Sequence, residues 1–340
     1  MRDAAPAVRR YEVPCRAPFW ARGGHAQTLL AHLLPSPGRR LDGEREIVVD
    51  LGDGDRLQVF ARSGTSGVRV HLFHGLAGDV SADYIRRTAD VMTELGHEVW
   101  AVNHRGCDNR DLAVQPYHSG RSEDMQAVLR ESRRVGGAEV DLIIGFSLSA
   151  NMALVHASQD WPEQPHGIIA INPPADLHRA SLDIGRGLNR LYQARFMWRL
   201  KRAVRERQQR GRALRDYHIP LTLSLLEFDD LFTAPECGFA NGLDYYRQCS
   251  SATRLAQIAV PTVILTAADD PFVAPETLET APRSPQVFLH IEPTGGHVGY
   301  LSHHGPTWTR WLDGALTHYT RELVGCRVPG TTPSHSTTPH

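Results

Sequence analysis

No stretch of the 340-residue chain holds the run of about 20 apolar residues that a membrane-spanning helix needs, so no transmembrane segment is expected. The N-terminus, MRDAAPAVRRYEVPC, carries charge without an apolar centre and does not read as a secretory signal. Cysteine is sparse. Cys15, Cys107, Cys237, Cys249 and Cys326 are odd in number, scattered and without a C-x-x-C pair, which argues against a disulfide or zinc framework and for a reduced, cytoplasmic chain. There is no H-E-x-x-H, and His303-His304 are adjacent rather than spaced for one helix face, so no metal is expected. A glycine-rich dinucleotide fingerprint is also missing, so no cofactor is expected. Charge of one sign is not in excess either: 37 Lys and Arg against 38 Asp and Glu give no reason to expect nucleic acid. No internal repeat is visible. The 41% hydrophobic content is enough for one large core, as a single α/β domain with an insertion or as two ordinary domains.

Short apolar runs alternate with helical patterns from Val68 onward, the rhythm of a mostly parallel sheet covered on both faces. Strands are expected at 68–73, 98–103, 140–145, 167–171, 261–267 and 286–291, and helices at 81–95, 121–135, 275–281 and 306–323. Before them, 44–50 and 57–62 flank Gly52-Asp53-Gly54-Asp55 and read as an edge hairpin. Residues 1–18 read as an extended arm, 19–30 as a packed segment with a helix from about Ala26, and 326–340 as a disordered tail. Between the strands at 167–171 and 261–267 lies a long insertion, residues 175–259. Its first half, 186–215, is rich in arginine, with Leu188, Leu191, Phe196, Leu200 and Val204 at helical steps. That segment predicts an amphipathic basic helix, broken near Gly211. It is a solvated face, or a surface that attracts anionic headgroups, as a weak membrane-surface contact, or acyl carriers.

Ser147 stands at the corner between an apolar strand, Leu142 to Ile144, and a helix beginning at about Leu148. Gly145-Phe146-Ser147-Leu148-Ser149 nearly matches G-x-S-x-G, the elbow that pushes a serine hydroxyl clear of a sheet. Ser149 replaces the usual second glycine. A nucleophilic serine needs a base to take its proton and a carboxylate to orient that base. The chain order serine, acid, histidine, each at a strand end, is met by Ser147, the pair Asp269-Asp270 and His297. Asp270 is preferred as the acid because Val273, three residues on, suits the anchor of the next helix, and Asp269 then bonds the turn. The backbone N–H groups of Leu76, in the loop His74-Gly75-Leu76-Ala77-Gly78, and of Leu148 are the expected oxyanion donors. His74 is expected to brace that loop.

On these residues the chain resembles the α/β-hydrolase superfamily, and within it the YheT-like branch, also called the AB hydrolase 4 family. FWARGGHAQTL, FHGLAGD, NHRGCDN, GFSLSAN, NPPADL, TAADDPFV and GGHVGYL carry the likeness, as does the spacing from Asp229 to Asp270; it covers roughly residues 15–323. It implies an α/β-hydrolase fold, with core segments 19–174 and 260–325 and a helical cap at 175–259. It implies a serine hydrolase, a carboxylesterase or a lipase-like enzyme, cleaving a carboxylic ester or thioester through Ser147, Asp270 and His297. An acyltransferase using the same triad, or a non-catalytic ligand-binding protein of the same fold, are the alternatives. His25, Arg105 and Asp229 match family motif positions and are expected to brace the pocket and cap. The partner implied is a small-molecule or lipid ester, and the oligomeric state is left open.

Overall fold

Parallel strands buried on both faces are near-continuously apolar, and here they converge on one sheet. In the computed structural model, which describes residues 8–36, 38–108, 110–304 and 307–326, eight strands are hydrogen-bonded side by side. They are β1 (Arg45–Asp50), β2 (Arg56–Arg62), β3 (Val68–Phe73), β4 (Glu98–Val102), β5 (Val140–Phe146), β6 (Gly167–Ile171), β7 (Thr262–Ala267) and β8 (Val287–Glu292). Their spatial order is β1-β2-β4-β3-β5-β6-β7-β8. The hairpin β1–β2 is antiparallel, with Arg45 opposite Ala61 and Asp50 opposite Arg56. β2 meets β4 antiparallel, and every pair beyond is parallel.

The side-chain alternation of β5 builds both layers of core. Leu142, Ile144 and Phe146 pack on the face covered by helices Asp83–Glu94 and Trp311–Gly325. Ile143 packs on the other, beneath helices Ser122–Val135 and Leu148–Ala157. All four strand residues are fully buried, each contributing roughly 1.5–3 kcal/mol of transfer free energy. The α/β-hydrolase fold and the mostly parallel sheet with helices on both faces are therefore present.

Helices from Leu177 to Cys249 separate β6 from β7. The longest, Arg190–Gln209, is the expected basic helix, and it stops before Gly211, whose φ of 65° lies in the left-handed region. The C-terminal helix departs from expectation: it begins at Trp311, not at 306. The preceding residues, Leu301–His304 and Thr307–Arg310, pair as an antiparallel ribbon. Thr-Trp-Thr is β-branched and aromatic, so it prefers the ribbon to a helical turn. Pro306, where the helix was expected to start, lies outside the described residues, as do residues 1–7 of the arm and 327–340 of the tail. The described part of the arm is strapped down. Cys15 N–H donates to Glu292 Oε1 at 2.7 Å, and the Trp311 indole N–H donates to the Val13 carbonyl at 2.6 Å. Among the described residues no helix is long and apolar enough to cross a membrane.

Candidate active site

Strand β5 delivers Ser147 to its carboxyl end in a strained conformation, φ 53° and ψ −117°, before the helix Leu148–Ala157 begins. Such a backbone costs on the order of 1–3 kcal/mol and persists only where its surroundings hold it. Two contacts do so. Ser147 N–H donates to the Ile171 carbonyl on β6 at 2.8 Å, and Gly145 lets the helix pass close by. A Cβ on Gly145 would lie 2.5 Å from the Ser149 carbonyl oxygen.

Asp270 follows β7 and His297 follows β8, and the two loops bring both side chains to the serine. His297 Nε2 is 2.8 Å from Ser147 Oγ, and His297 Nδ1 is 2.8 Å from Asp270 Oδ2. A carboxylate can only accept, so Nδ1 carries the proton and Nε2 accepts from the serine hydroxyl. The Asp270 side chain is fully enclosed. Its Oδ1 accepts from the N–H groups of Phe272 and Val273, both at 3.0 Å, and its Oδ2 also accepts from Asn172 Nδ2 at 2.7 Å. Asp269, its neighbour, points into the turn before His297 and accepts from Thr294, Gly295 and Gly296.

The loop after β3 is pinned from several sides. Gly75 N–H donates to the Tyr84 hydroxyl at 2.9 Å and Ala77 N–H to the Tyr117 hydroxyl at 2.7 Å. The Leu76 N–H between them has no acceptor among the described residues. Leu148 opens its helix, where the first N–H groups have no intrahelical acceptor. Both residues line a cavity of about 270 Å³ with Ser147 and His297. Most of the lining contributed by the helices between β6 and β7 is apolar, including Phe196, Leu200, Val204 and Phe228.

His74 is fully buried and its pKa is pushed down to about 4 by that burial. Its Nδ1–H donates to the Gly75 carbonyl at 2.9 Å, and its Nε2 accepts from His104 N–H at 3.3 Å, so it braces the loop. Arg105 is spent on three carboxylates: Asp124 at 2.6 Å, Asp53 at 2.7 Å and Asp55 at 2.9 Å. It ties the hairpin turn to the helix Ser122–Val135. His25 stacks on Tyr192 at 5.8 Å, joining the helix Gly24–Leu33 to the basic helix. Asp229 lines the cavity, buried, and accepts from the Tyr246 and Thr233 hydroxyls, both at 2.6 Å.

Three contributors carried no assigned role in the sequence. Asn172 bonds both Asp270 and, at 3.2 Å, the Gly296 carbonyl, and so fixes the two loops to each other. Its place at the end of β6 was visible, but its bonding was not. Thr28 accepts from His297 N–H at 2.9 Å, which explains why FWARGGHAQTL sits beside the site. His104 Nε2–H donates to Ser149 Oγ at 2.6 Å; only the missing glycine at 149 hinted at such a contact.

With this geometry in view, the likenesses to known proteins are specific. The family model of the alpha/beta hydrolase fold matches residues 68–304. YheT of Escherichia coli (strain K12) is 32% identical over 247 residues, 68% of this chain and 70% of that one. Phospholipase ABHD3 of Homo sapiens is 24% identical over 95% of this chain and 82% of its own length. Among solved structures, the esterase Pf2001 of Pyrococcus furiosus matches 83% of this chain and 89% of that one with a TM-score of 0.56. Its 16% identity speaks to the fold alone. The chain belongs to the α/β-hydrolase superfamily, as a member of its YheT-like branch.

Proposed function

We propose that the protein is a serine hydrolase of carboxylic esters or thioesters, with Ser147, His297 and Asp270 as its catalytic residues. The observation that carries this reading is the unbroken row Asp270–His297–Ser147, with both links at 2.8 Å, opening on a cavity of largely apolar lining. The helices between β6 and β7 act as a cap, and their apolar side chains take the acyl group.

In the first half-reaction His297 Nε2 takes the Ser147 proton as Oγ attacks the carbonyl carbon. The N–H groups of Leu76 and Leu148 donate to the negative oxygen, and donors already aimed at that charge are worth far more than donors in solution. Collapse expels the alcohol or thiol, which leaves with the proton from His297. A water then gives its proton to His297 and attacks the acyl carbon, and Ser147 departs reprotonated. Asp270 stays ionised throughout and holds the imidazole in the tautomer the attack requires.

The kinship supports the reading from a second side, since one relative carries the name phospholipase. Ser147→Ala is expected to lower p-nitrophenyl ester hydrolysis by at least about a thousandfold and to abolish fluorophosphonate labelling while the unfolding temperature holds. Retained turnover or labelling would refute the assignment. Graded acyl chain lengths, with and without an added alcohol, identify the preferred acyl group and whether water or alcohol resolves the acyl-enzyme.

A further inference from the structure

The helix Arg190–Gln209 has two faces with different tasks. Met197 and Val204, both buried, sit with half-buried Leu200 on the inward side, and Leu200 and Val204 line the cavity. The opposite side carries Leu191, Arg195, Trp198, Arg202 and Arg205, at steps of four, three, four and three residues, one stripe of a helix. All five are exposed, Leu191 at 73% and Trp198 at 55%.

The stripe is unusual in two ways. Large apolar side chains alternate with arginines along one line, and no acidic residue lies on it. Several neighbouring cations are also unspent. Arg202 pairs with Glu206 at 2.7 Å, but Arg195, Lys201 and Arg205 have no carboxylate within 4.0 Å among the described residues. Arg195 instead meets His32 Nε2 at 2.9 Å. That contact places the stripe beside the helix Gly24–Leu33, whose Leu29 and Leu33 are likewise exposed, at 48% and 73%.

From these observations we infer that this face docks on the surface of an anionic bilayer, with Leu191, Trp198 and the neighbouring leucines in the headgroup–acyl boundary and the arginines on lipid phosphates. Interleaving of apolar and basic residues suits a lipid–water interface, where long basic side chains reach outward while their stems stay with the apolar groups. A protein-binding patch gathers its apolar residues into a centre with a polar rim instead. The chemistry of the partner follows from the charge: every ionised group on the stripe is a cation. A helix is about 10–12 Å across, so a docked bilayer lies one helix away from the cavity beneath it. The inference does not depend on Ser147 chemistry, because binding is read without turnover.

The test is co-sedimentation of the full chain with phosphatidylcholine vesicles, with and without phosphatidylglycerol, at low and high salt. Three proteins are compared: the natural sequence, Leu191→Ser with Trp198→Ser, and Arg195→Gln with Arg205→Gln. The natural chain partitions onto the anionic vesicles and weakly onto neutral ones. The arginine pair variant loses about fivefold in partition per arginine removed, and that difference shrinks at high salt. The apolar pair variant loses binding at both salt concentrations. The unfolding temperature is the same in all three, which shows that the variants are folded. Equal partition of all three proteins, or no preference for phosphatidylglycerol, overturns the inference. So does a change of oligomeric state by light scattering in the apolar variant with vesicle binding unchanged, since the face would then join copies of the chain.

Discussion

The Ser149 hydroxyl donates a hydrogen bond to the His74 carbonyl oxygen, tying the first turn of the helix after Ser147 to the loop that carries Leu76. His104 completes the link by donating to Ser149 Oγ. A side chain where glycine is usual thus acts as a strut between the two proposed oxyanion donors. Ser149→Ala removes it and leaves the buried His104 Nε2–H with only the more distant His74 carbonyl, at 3.1 Å. The expected result is a loss of about 1–3 kcal/mol in unfolding free energy and a fall in kcat of about tenfold with KM little changed. Ser149→Gly should behave alike, with a further cost of up to about 1 kcal/mol for glycine in a helix. An unchanged kcat in both variants would remove Ser149 from any positioning role.

Asn172 offers a cleaner separation of side chain from backbone. Its φ of 48° is left-handed, a conformation that alanine adopts at a cost of roughly 1–2 kcal/mol and glycine freely. Both Asn172→Ala and Asn172→Gly delete the donor to Asp270 and Gly296, so both are expected to lower kcat/KM by about tenfold, the equivalent of about 1.4 kcal/mol. Only the alanine variant should also lose stability through backbone strain. The two unfolding curves and one steady-state assay decide it. Equal activity to the natural chain in the glycine variant would show that Asp270 is held well enough by the Phe272 and Val273 amides and by His297 Nδ1–H.

How much of this is legible without the structure depends on the range of the interaction. Strand β6 is readable residue by residue because burial on both faces leaves an apolar run with sharp ends, and β3 because Val68, Val70 and Leu72 alternate up to Phe73, although Arg69 and His71 are buried between them. Ser147, Asp270 and His297 are readable because topology fixes the ends of strands in space, and each sits at one. The strut through Ser149 is not, since it joins residues 75 apart by a hydroxyl whose partner no local pattern specifies. The same holds for Thr28 and His297, which are 269 residues apart. The ribbon at 301–310 passes for a helix start in the sequence because four-residue segments carry too few side chains to show a period.

Glycine at 145 is required by contact with backbone, not by conformation. Gly145→Ala would drive Cβ against the Ser149 carbonyl at 2.5 Å, and neither element can yield without moving Ser147. Gly167→Ala is the fitting control, because its Cβ would meet Leu323 Cδ1 at 3.1 Å and Leu142 Cδ2 and Leu323 Cβ at 3.2 Å, tight side-chain contacts that shifts of a few tenths of an ångström relieve, not backbone. The first substitution is expected to cost about 3 kcal/mol or more and to lose most ester hydrolysis. The second should cost about 1 kcal/mol and keep it, within the usual range for overpacking. Thermal unfolding of the two proteins side by side tests the ranking, and a reversed order would mean that the elbow has slack.

Asp229 makes stability depend on pH in a direction opposite to that of a paired carboxylate. Burial beside the cavity pushes its pKa up to about 6, although the Thr233 and Tyr246 hydroxyls that bond it pull the other way. Between the ordinary carboxylate value of 3.8 and about 6, the folded chain therefore holds a proton that the unfolded chain has released. Stability must then fall as pH rises through that window and stay reduced above it. A rise of this size corresponds to about 3 kcal/mol. Asp229→Asn keeps an acceptor for one hydroxyl and has no charge to desolvate, so the variant should lack this part of the pH dependence. Urea unfolding at pH 4 and pH 7.5 measures it: relative to the variant, the natural chain should be weaker at the higher pH by about 2.5 kcal/mol, since the unfolded carboxylate is already more than half ionised at pH 4. If the two proteins show the same difference between the two pH values, the Asp229 carboxylate is already ionised in the folded state at pH 4, and the hydroxyls outweigh the burial.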